Sequence, residues 1–223
     1  MLKFRSFFKK FFIIFCALFA LLIFFVLINY FKPVEKIKIN QSIYKEVSIL
    51  NIEGEKFRDL NKNYKLDIYE DHRIDSVKRS EDLINQMNLE EKIGQMFHPP
   101  FILKPDLLMF LYEIAIRGNN LTESQILFNH ISHFNLYGNP SPEELAKKIN
   151  ELQKIASRTR LGIPITISSD PIHEVPKGGG VASFSIDGFS KWPSQLGFAA
   201  TNNPLVVKKF GEIAKEEYLA VGI

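Results

Sequence analysis

The stretch HISHFNLYGNPSPEELAKKINELQKIASRTRLGIPITI, residues 130–167, decides the fold because it holds a strand, a helix and a second strand in succession. The pattern of His130–Tyr137 predicts a short strand, and Ile163–Ile167 predicts a buried one. Between them, Ser141 can cap a helix whose first position is a proline, and the basic residues of 158–160 suit its negative end. Two strands joined in this way pair in parallel with a right-handed crossover, so the sequence predicts an α/β protein.

The flanking sequence adds helices on both sides of this unit. Apolar spacing predicts a helix over Ser76–Met96, with a new turn that Asn88 caps and Glu91 supports three residues later. The apolar residues 101–130 predict a helical hairpin. A second cap, at Asn203 before a proline, predicts a helix that ends near Ala220.

The first 32 residues differ in composition from everything that follows. They contain ten of the twenty Phe and five of the 28 basic residues, but none of the 25 acidic ones. Basic residues precede an unbroken apolar run, Phe11–Ile28, that nearly crosses the roughly 30 Å hydrocarbon core of a bilayer. A cleaved signal peptide is the alternative, but its apolar region is usually about 7–15 residues and a small-residue site follows it. The sequence therefore favours an uncleaved signal anchor, with the N-terminus in the cytoplasm and the rest outside.

Beyond the anchor, we expect a stalk over residues 33–56 and a folded domain over residues 57–223. This part of the chain carries a slight excess of acidic over basic residues. Without a basic face, a nucleic-acid partner is not expected. The single cysteine lies in the apolar run, so no disulfide is expected.

The segment DLNKNYKLDIYED has the spacing of a calcium-binding loop. Calcium takes six to eight oxygen ligands, and a loop of the EF-hand type supplies them from its positions 1, 3, 5, 7, 9 and 12. These positions hold Asp59, Asn61, Asn63, the Lys65 carbonyl, Asp67 and Glu70. Tyr64 departs from the pattern, since a sharp turn with φ > 0 prefers glycine at the sixth position. The pattern predicts a structural calcium ion, and a solvated turn rich in Asn and Asp is the alternative.

Asp170 directly follows the second predicted strand, in the sequence SSDPIHEV. Ligands bind at the carboxyl ends of parallel strands, and a carboxylate there can accept hydrogen bonds from two sugar hydroxyls. His173 can brace Asp170 or donate to a ligand. Asp170 as a simple cap for the next turn is the alternative interpretation.

Four segments together resemble the start of family 3 glycoside hydrolases, the β-glucosidase-type enzymes. They are LEEKIGQM, TRLGIPITISSDPIHEV, WPSQLGFAAT and FGEIAKEEYLAVGI, in that order, and the calcium-type loop also precedes the barrel in some members. The resemblance implies the first strands and helices of a (β/α)8 TIM-type barrel, behind the N-terminal transmembrane helix. It also implies that Asp170 binds sugar hydroxyls, with His173 as the histidine of the same motif. Glu174 replaces the family's glycine.

By the same resemblance, the catalytic carboxylates are expected beyond residue 223. The nucleophile of the family lies in a Ser-Asp-Trp-like motif, and the acid/base comes from farther on; neither motif occurs in this sequence. We therefore expect the N-terminal part of a retaining glycosidase acting on β-linked sugars, inactive alone. A non-catalytic truncated product that binds sugar or calcium, or a calcium-dependent interaction module, is the alternative.

Overall fold

The computed structural model describes residues 2–31, 33–41, 47–103, 121–138, 140–169, 173, 186 and 188–223. The N-terminal half contains helices α1 and α2, an antiparallel β-hairpin and two further helices. The bounds are α1 Leu2–Phe31, α2 Pro33–Gln41, β1 Ser48–Ile52, β2 Glu55–Asp59, a 3₁₀ turn Ile68–Glu70, α3 Ser76–Gln86 and α4 Leu89–Gln95. The remaining elements are β3 Pro100–Ile102, α5 Thr122–Asn129, β4 His133–Tyr137, α6 Pro142–Ala156, β5 Thr166–Ser168, α7 Gln195–Ala200 and α8 Pro204–Val221.

Strands β3, β4 and β5 form a parallel sheet in that order. The predicted parallel pairing of β4 with β5 is confirmed: His133 lies opposite Thr166 and Asn135 opposite Ser168. β5 is shorter than predicted because Pro164 has no N–H to give to the sheet. The next amide, that of Ile165, instead donates to Gln153 Oε1 at 3.1 Å.

Strand β3 was not predicted, because Pro99 and Pro100 read as the end of a helix. Pro100 is the first residue of β3, which lies at the edge of the described sheet, and a proline is tolerated at such a position. Most of the predicted hairpin over residues 101–130 lies outside the described residues. Its described ends form β3 and α5.

The core lies between one face of this sheet and helices α5, α6 and α8. Along β4, Phe134 and Leu136 are fully buried, while the alternating residues face the other side of the sheet. Helix α6 buries a stripe at helical spacing that faces the sheet, namely Leu145, Ile149, Leu152 and Ala156. As predicted, Ser141 caps α6, in a reciprocal pair with Glu144.

The expected helix over 76–96 is two helices. The chain becomes extended at Met87, and Asn88 then caps α4: its side chain accepts from the Glu91 amide, and the Glu91 side chain accepts from the Asn88 amide. The predicted cap is thus confirmed, but it begins a separate helix. Helix α8 agrees with the prediction, since Asn203 caps it through the Leu205 amide.

The N-terminal part contains a helix and a hairpin. In α1, Lys9–Ile28 is long and apolar enough to cross a membrane and is not buried against the rest of the chain. A signal sequence near the N-terminus can also be this long and apolar. The expected stalk over residues 33–56 contains α2 and strand β1, and β1 pairs with β2. The structure is therefore mixed α/β, and a barrel remains a prediction.

Candidate functional site

Polar side chains gather at the carboxyl end of β5. Ser168, its last residue, donates through Oγ to Asn135 Oδ1 at 2.8 Å, and the same Oγ lies 3.0 Å from His98 Nε2. The Oγ of Ser169 is buried, with no hydrogen-bond partner among the described residues. Asp170, the predicted sugar-binding residue, lies outside the described residues. The structure therefore describes the end of the strand that leads to it.

His173 is described and is almost completely buried, with 4% of the residue exposed. Its Nε2 lies 2.9 Å from Glu217 Oε2. Three aromatic rings enclose the imidazole: Phe189 stacks on it at 5.5 Å between centroids, and Phe210 and Tyr218 present their edges. His173 thus packs in the interior between Phe189 and α8.

Glu217 of α8 gathers hydrogen bonds from two separate segments. Besides His173, its carboxylate accepts from the Ser190 amide at 2.7 Å and from the Ser190 hydroxyl at 2.9 Å. The indole of Trp192 donates to Ser190 Oγ at 2.8 Å, and its backbone amide donates to the His173 carbonyl at 2.8 Å. The sequence analysis did not identify Glu217 or Ser190. A signal existed, because Glu217 lies three residues after Ala214 and four before Val221, both buried, and so interrupts an apolar stripe of the helix.

The loop of the predicted calcium site curls around two buried carboxylates. Asp59 is fully buried and accepts from the amides of Asn63 and Tyr64, each at 3.0 Å. Glu70 accepts from the amides at the start of the loop and, through its other oxygen, from the Asp67 amide at 3.1 Å. Tyr64 adopts φ 64°, the left-handed conformation that the spacing requires at this position. The loop therefore follows the tight path that an ion-binding loop needs.

Hydrogen bonds within the loop occupy several of the predicted calcium ligands. Asn61 and Asn63 both donate from Nδ2 to Asp67 Oδ2 at 2.7 Å, so amide hydrogens occupy this carboxylate oxygen. Among the described residues, no three acidic, His or Cys side chains come together as an ion site. The residues match calcium ligands in type and in backbone path. The Oδ1 atoms of Asn61 and Asn63 accept from the amides of Asn63 and Lys65, and an amide oxygen with two lone pairs can bind an ion as well. Lys65 would contribute its carbonyl.

This loop also contacts the connection between α6 and β5. The Lys62 ammonium donates to the Thr159 carbonyl, and the Tyr69 hydroxyl donates to the Leu161 carbonyl at 3.2 Å. Burial, and then the negative charge of Glu70, raises the pKa of Tyr69 well above its usual range. A Cβ on Gly162 would lie 2.8 Å from the Leu60 carbonyl oxygen, so only glycine permits this approach.

An ion pair between a buried carboxylate and an exposed guanidinium joins two of the sequence segments that carry the family resemblance. Glu91, 4% exposed, accepts from Arg160 Nε at 2.9 Å and also from Nη2 of the same guanidinium. Burial alone would raise the pKa of the Glu91 carboxyl, but the hydrogen bonds from Arg160 and the Asn88 amide lower it. The pair fixes α4 against the turn that leads into β5.

A parallel sheet with helices packed on one face, and with polar side chains at the end of a strand, is typical of α/β domains, a class in which ligands bind at strand ends. The chain belongs to glycosyl hydrolase family 3: the family model of the N-terminal domain matches residues 88–223. Asn88, the cap of α4, is thus the first matched residue. The family resemblance seen in the sequence is confirmed.

Curated relatives agree with this family. The chain is 43% identical over 159 residues to "Beta-glucosidase C" of Emericella nidulans and 41% identical over 160 residues to "Probable beta-glucosidase C" of Aspergillus oryzae. It is 37% identical over 179 residues to "Periplasmic beta-glucosidase/beta-xylosidase" of Dickeya chrysanthemi. These alignments cover 71%, 70% and 78% of this chain, but only 24%, 24% and 26% of the relatives. The chain therefore spans about a quarter of the length of the relatives it matches.

Proposed function

We propose that this chain is the N-terminal part of a retaining glycoside hydrolase that removes terminal β-linked sugars, such as β-glucosides. Family membership carries the proposal, since relatives named as β-glucosidases align with 70% or more of the chain. In the proposed protein the sheet extends into a (β/α)8 barrel, and Asp170 accepts hydrogen bonds from hydroxyls of the bound sugar. The described end of β5 supports this role, because its polar residues directly precede Asp170 in the chain.

The catalytic carboxylates are proposed to lie beyond residue 223. A retaining glycosidase needs a nucleophile and an acid/base about 5–5.5 Å apart, and the first forms a covalent glycosyl-enzyme that water then hydrolyses. Residues 33–223 alone should therefore not release nitrophenol from para-nitrophenyl β-D-glucoside. Turnover above a buffer blank would contradict this part of the proposal.

The test of the sugar site uses the full-length protein that contains this chain. Asp170→Ala should lower kcat/KM for para-nitrophenyl β-D-glucoside at least tenfold, because charge-assisted hydrogen bonds to the sugar are worth roughly 1.5–3 kcal/mol each. Asp75→Ala is the matched control, since Asp75 is an aspartate that caps α3 on the surface. An unchanged kcat/KM in Asp170→Ala would make Asp170 only a cap of the following turn.

We also propose that α1 anchors the protein in a membrane, with the α/β domain on the extracytoplasmic side. The apolar span Lys9–Ile28, with mean hydropathy 3.3, supports this. An anchored protein stays in the membrane pellet after extraction with alkaline carbonate. Release of a protein that lacks the first 32 residues would instead show a cleaved signal sequence.

We also propose a structural calcium ion in the Asp59–Glu70 loop, which the tight path of the loop around two buried carboxylates favours. Such an ion would hold the loop closed against the α6–β5 connection. Calcium at 100 times its Kd would stabilise the fold by about 2.7 kcal/mol. Millimolar calcium should therefore raise Tm relative to EDTA. Asp67→Asn should reduce this rise, because the ion would lose one negatively charged ligand. The absence of any rise in the unaltered protein would identify the loop as a metal-free turn.

A further inference from the structure

The starting observation is the convergence of donors on the carboxylate of Glu217. A carboxylate only accepts hydrogen bonds, so His173 Nε2 carries the proton and donates to Glu217 Oε2. Ser190 supplies both its amide and its hydroxyl to the same group. One side chain of α8 therefore holds two segments that are well separated from it in sequence, one at residue 173 and one at residue 190.

These two segments are also tied to each other. The Trp192 amide donates to the His173 carbonyl, and the Trp192 indole donates to Ser190 Oγ. Aromatic rings also join the two segments. Phe189 and Phe210 contact the His173 imidazole, and Phe210 also contacts the Trp192 indole. Removal of the Glu217 carboxylate would leave the His173 Nε2 donor buried without its acceptor. The segment would then have to move to find another partner or water.

Covalent geometry carries this constraint to Asp170. Only Pro171 and Ile172 separate Asp170 from His173, and three residues of chain span at most about 11 Å. On its other side Asp170 follows Ser169 at the end of the sheet. Whatever fixes His173 therefore limits where Asp170 lies.

We infer that Glu217 is a positioning residue for the sugar-binding role of Asp170, acting through His173 and Ser190. The inference rests on the proposed function. Glu217 does not itself contact the sugar; it holds the backbone that carries the residue which does. His173 has the same role, since its Nε2 is used by Glu217 and the ring is enclosed by aromatic side chains.

The first experiment measures whether Glu217 holds the segment around Ser190 and Trp192, independently of activity. Amide hydrogen exchange, followed by mass spectrometry of peptides that cover residues 188–194, reports the Ser190 and Trp192 amides, which donate to Glu217 and to His173. Glu217→Ala should increase exchange at these amides at least tenfold. Glu216→Gln is the matched control: Glu216 is the preceding, exposed residue of the same helix, and exchange should not change.

The second arm measures para-nitrophenyl β-D-glucoside hydrolysis by the full-length protein, at a temperature where circular dichroism shows each variant folded. Glu217→Ala should lower kcat/KM at least tenfold with an increase in KM. Glu217→Gln should lose less than Glu217→Ala, because one amide oxygen can still accept from the Ser190 amide. If Glu217→Ala does not fold, Ser190→Ala replaces it, since this variant removes one donor to Glu217 and the acceptor of the Trp192 indole but keeps the carboxylate.

Unchanged amide exchange in Glu217→Ala would overturn the inference. Increased exchange with an unchanged kcat/KM would also overturn it, because Glu217 would then serve stability alone. A full-length unaltered protein that hydrolyses neither the β-glucoside nor the corresponding β-xyloside would refute the proposed function and with it the positioning role. The exchange arm would still show in that case whether Glu217 holds the segment.

Discussion

Replacing Tyr64 by glycine should stabilise the protein, although most core or turn substitutions do the reverse. Tyr64 adopts φ 64° and is 73% exposed, so its side chain gains little from burial while its backbone is strained. The left-handed conformation costs a residue with a Cβ roughly 1–2 kcal/mol. Glycine avoids that cost but loses roughly 0.5–1 kcal/mol through its greater freedom in the unfolded chain. The net expectation for Tyr64→Gly is a gain of about 0.5–1 kcal/mol.

The assay is thermal unfolding in EDTA, followed by circular dichroism. About 1 kcal/mol corresponds to roughly 2–4 °C in a domain of 150–250 residues, so Tm should rise by about 1–4 °C. Lys62→Gly is the matched control, because Lys62 lies in the same loop with φ 61°. Its ammonium donates to the Thr159 carbonyl, and loss of a charged hydrogen bond of roughly 1.5–3 kcal/mol should outweigh the relief of strain. An equal or lower Tm in Tyr64→Gly, or the same rise in both variants, would refute the reasoning.

Three further perturbations test the packing around the site. Gly94→Ala should lower the free energy of unfolding, measured with urea, by about 1–3 kcal/mol, because the new Cβ would lie 2.4 Å from the Asn129 carbonyl oxygen. A decrease below about 0.5 kcal/mol would show that α4 can shift to make room. Leu152→Ala, at a fully buried position, should cost roughly 2–5 kcal/mol by the same measurement, and a smaller loss would mean that the core refills the cavity. Arg160 helps to lower the folded-state pKa of Glu91, so the stability from their ion pair is fully present above the unfolded value of about 4.3 and is lost as pH falls through the folded one. The difference in unfolding free energy between the unaltered protein and Glu91→Gln should therefore shrink between pH 6 and pH 3, and a constant difference would contradict the shift.

The helix starts that depend on a few neighbouring residues were predicted correctly from the sequence. Ser141, Asn88 and Asn203 all cap helices as expected, because a cap depends on a few neighbouring residues. The parallel pairing of β4 and β5 followed from the short helical connection between them. Strand β3 was missed because its partner lies more than thirty residues away in sequence, and Pro100 argues locally against a strand.

The motif of the candidate site could be predicted from the sequence, but the contacts that hold it in place could not. Asp170 and His173 came from a sequence pattern, and that pattern says nothing about which distant helix holds the loop. Glu217 reads as one of several acidic residues on an amphipathic helix, and only the fold shows its 2.9 Å contact with His173. The Asp59–Glu70 loop is the opposite case, since the hydrogen bonds of Asp59, Asp67 and Glu70 that shape it come from residues within the loop or close to it in sequence.

The contacts between the Asp59–Glu70 loop and the α6–β5 connection have a consequence for biosynthesis. Lys62 and Thr159 are 97 residues apart, and Tyr69 and Leu161 are 92 apart. At the usual elongation rate of roughly 5–20 residues per second, a ribosome needs about 5–20 s to make the partner of a loop it has already released. During that interval the loop has the local hydrogen bonds of Asp59, Glu70 and Asp67, but not those to Thr159 and Leu161. The Asp59–Glu70 loop is therefore synthesised well before the residues it contacts in the α6–β5 connection, and its early shape depends on its own local hydrogen bonds.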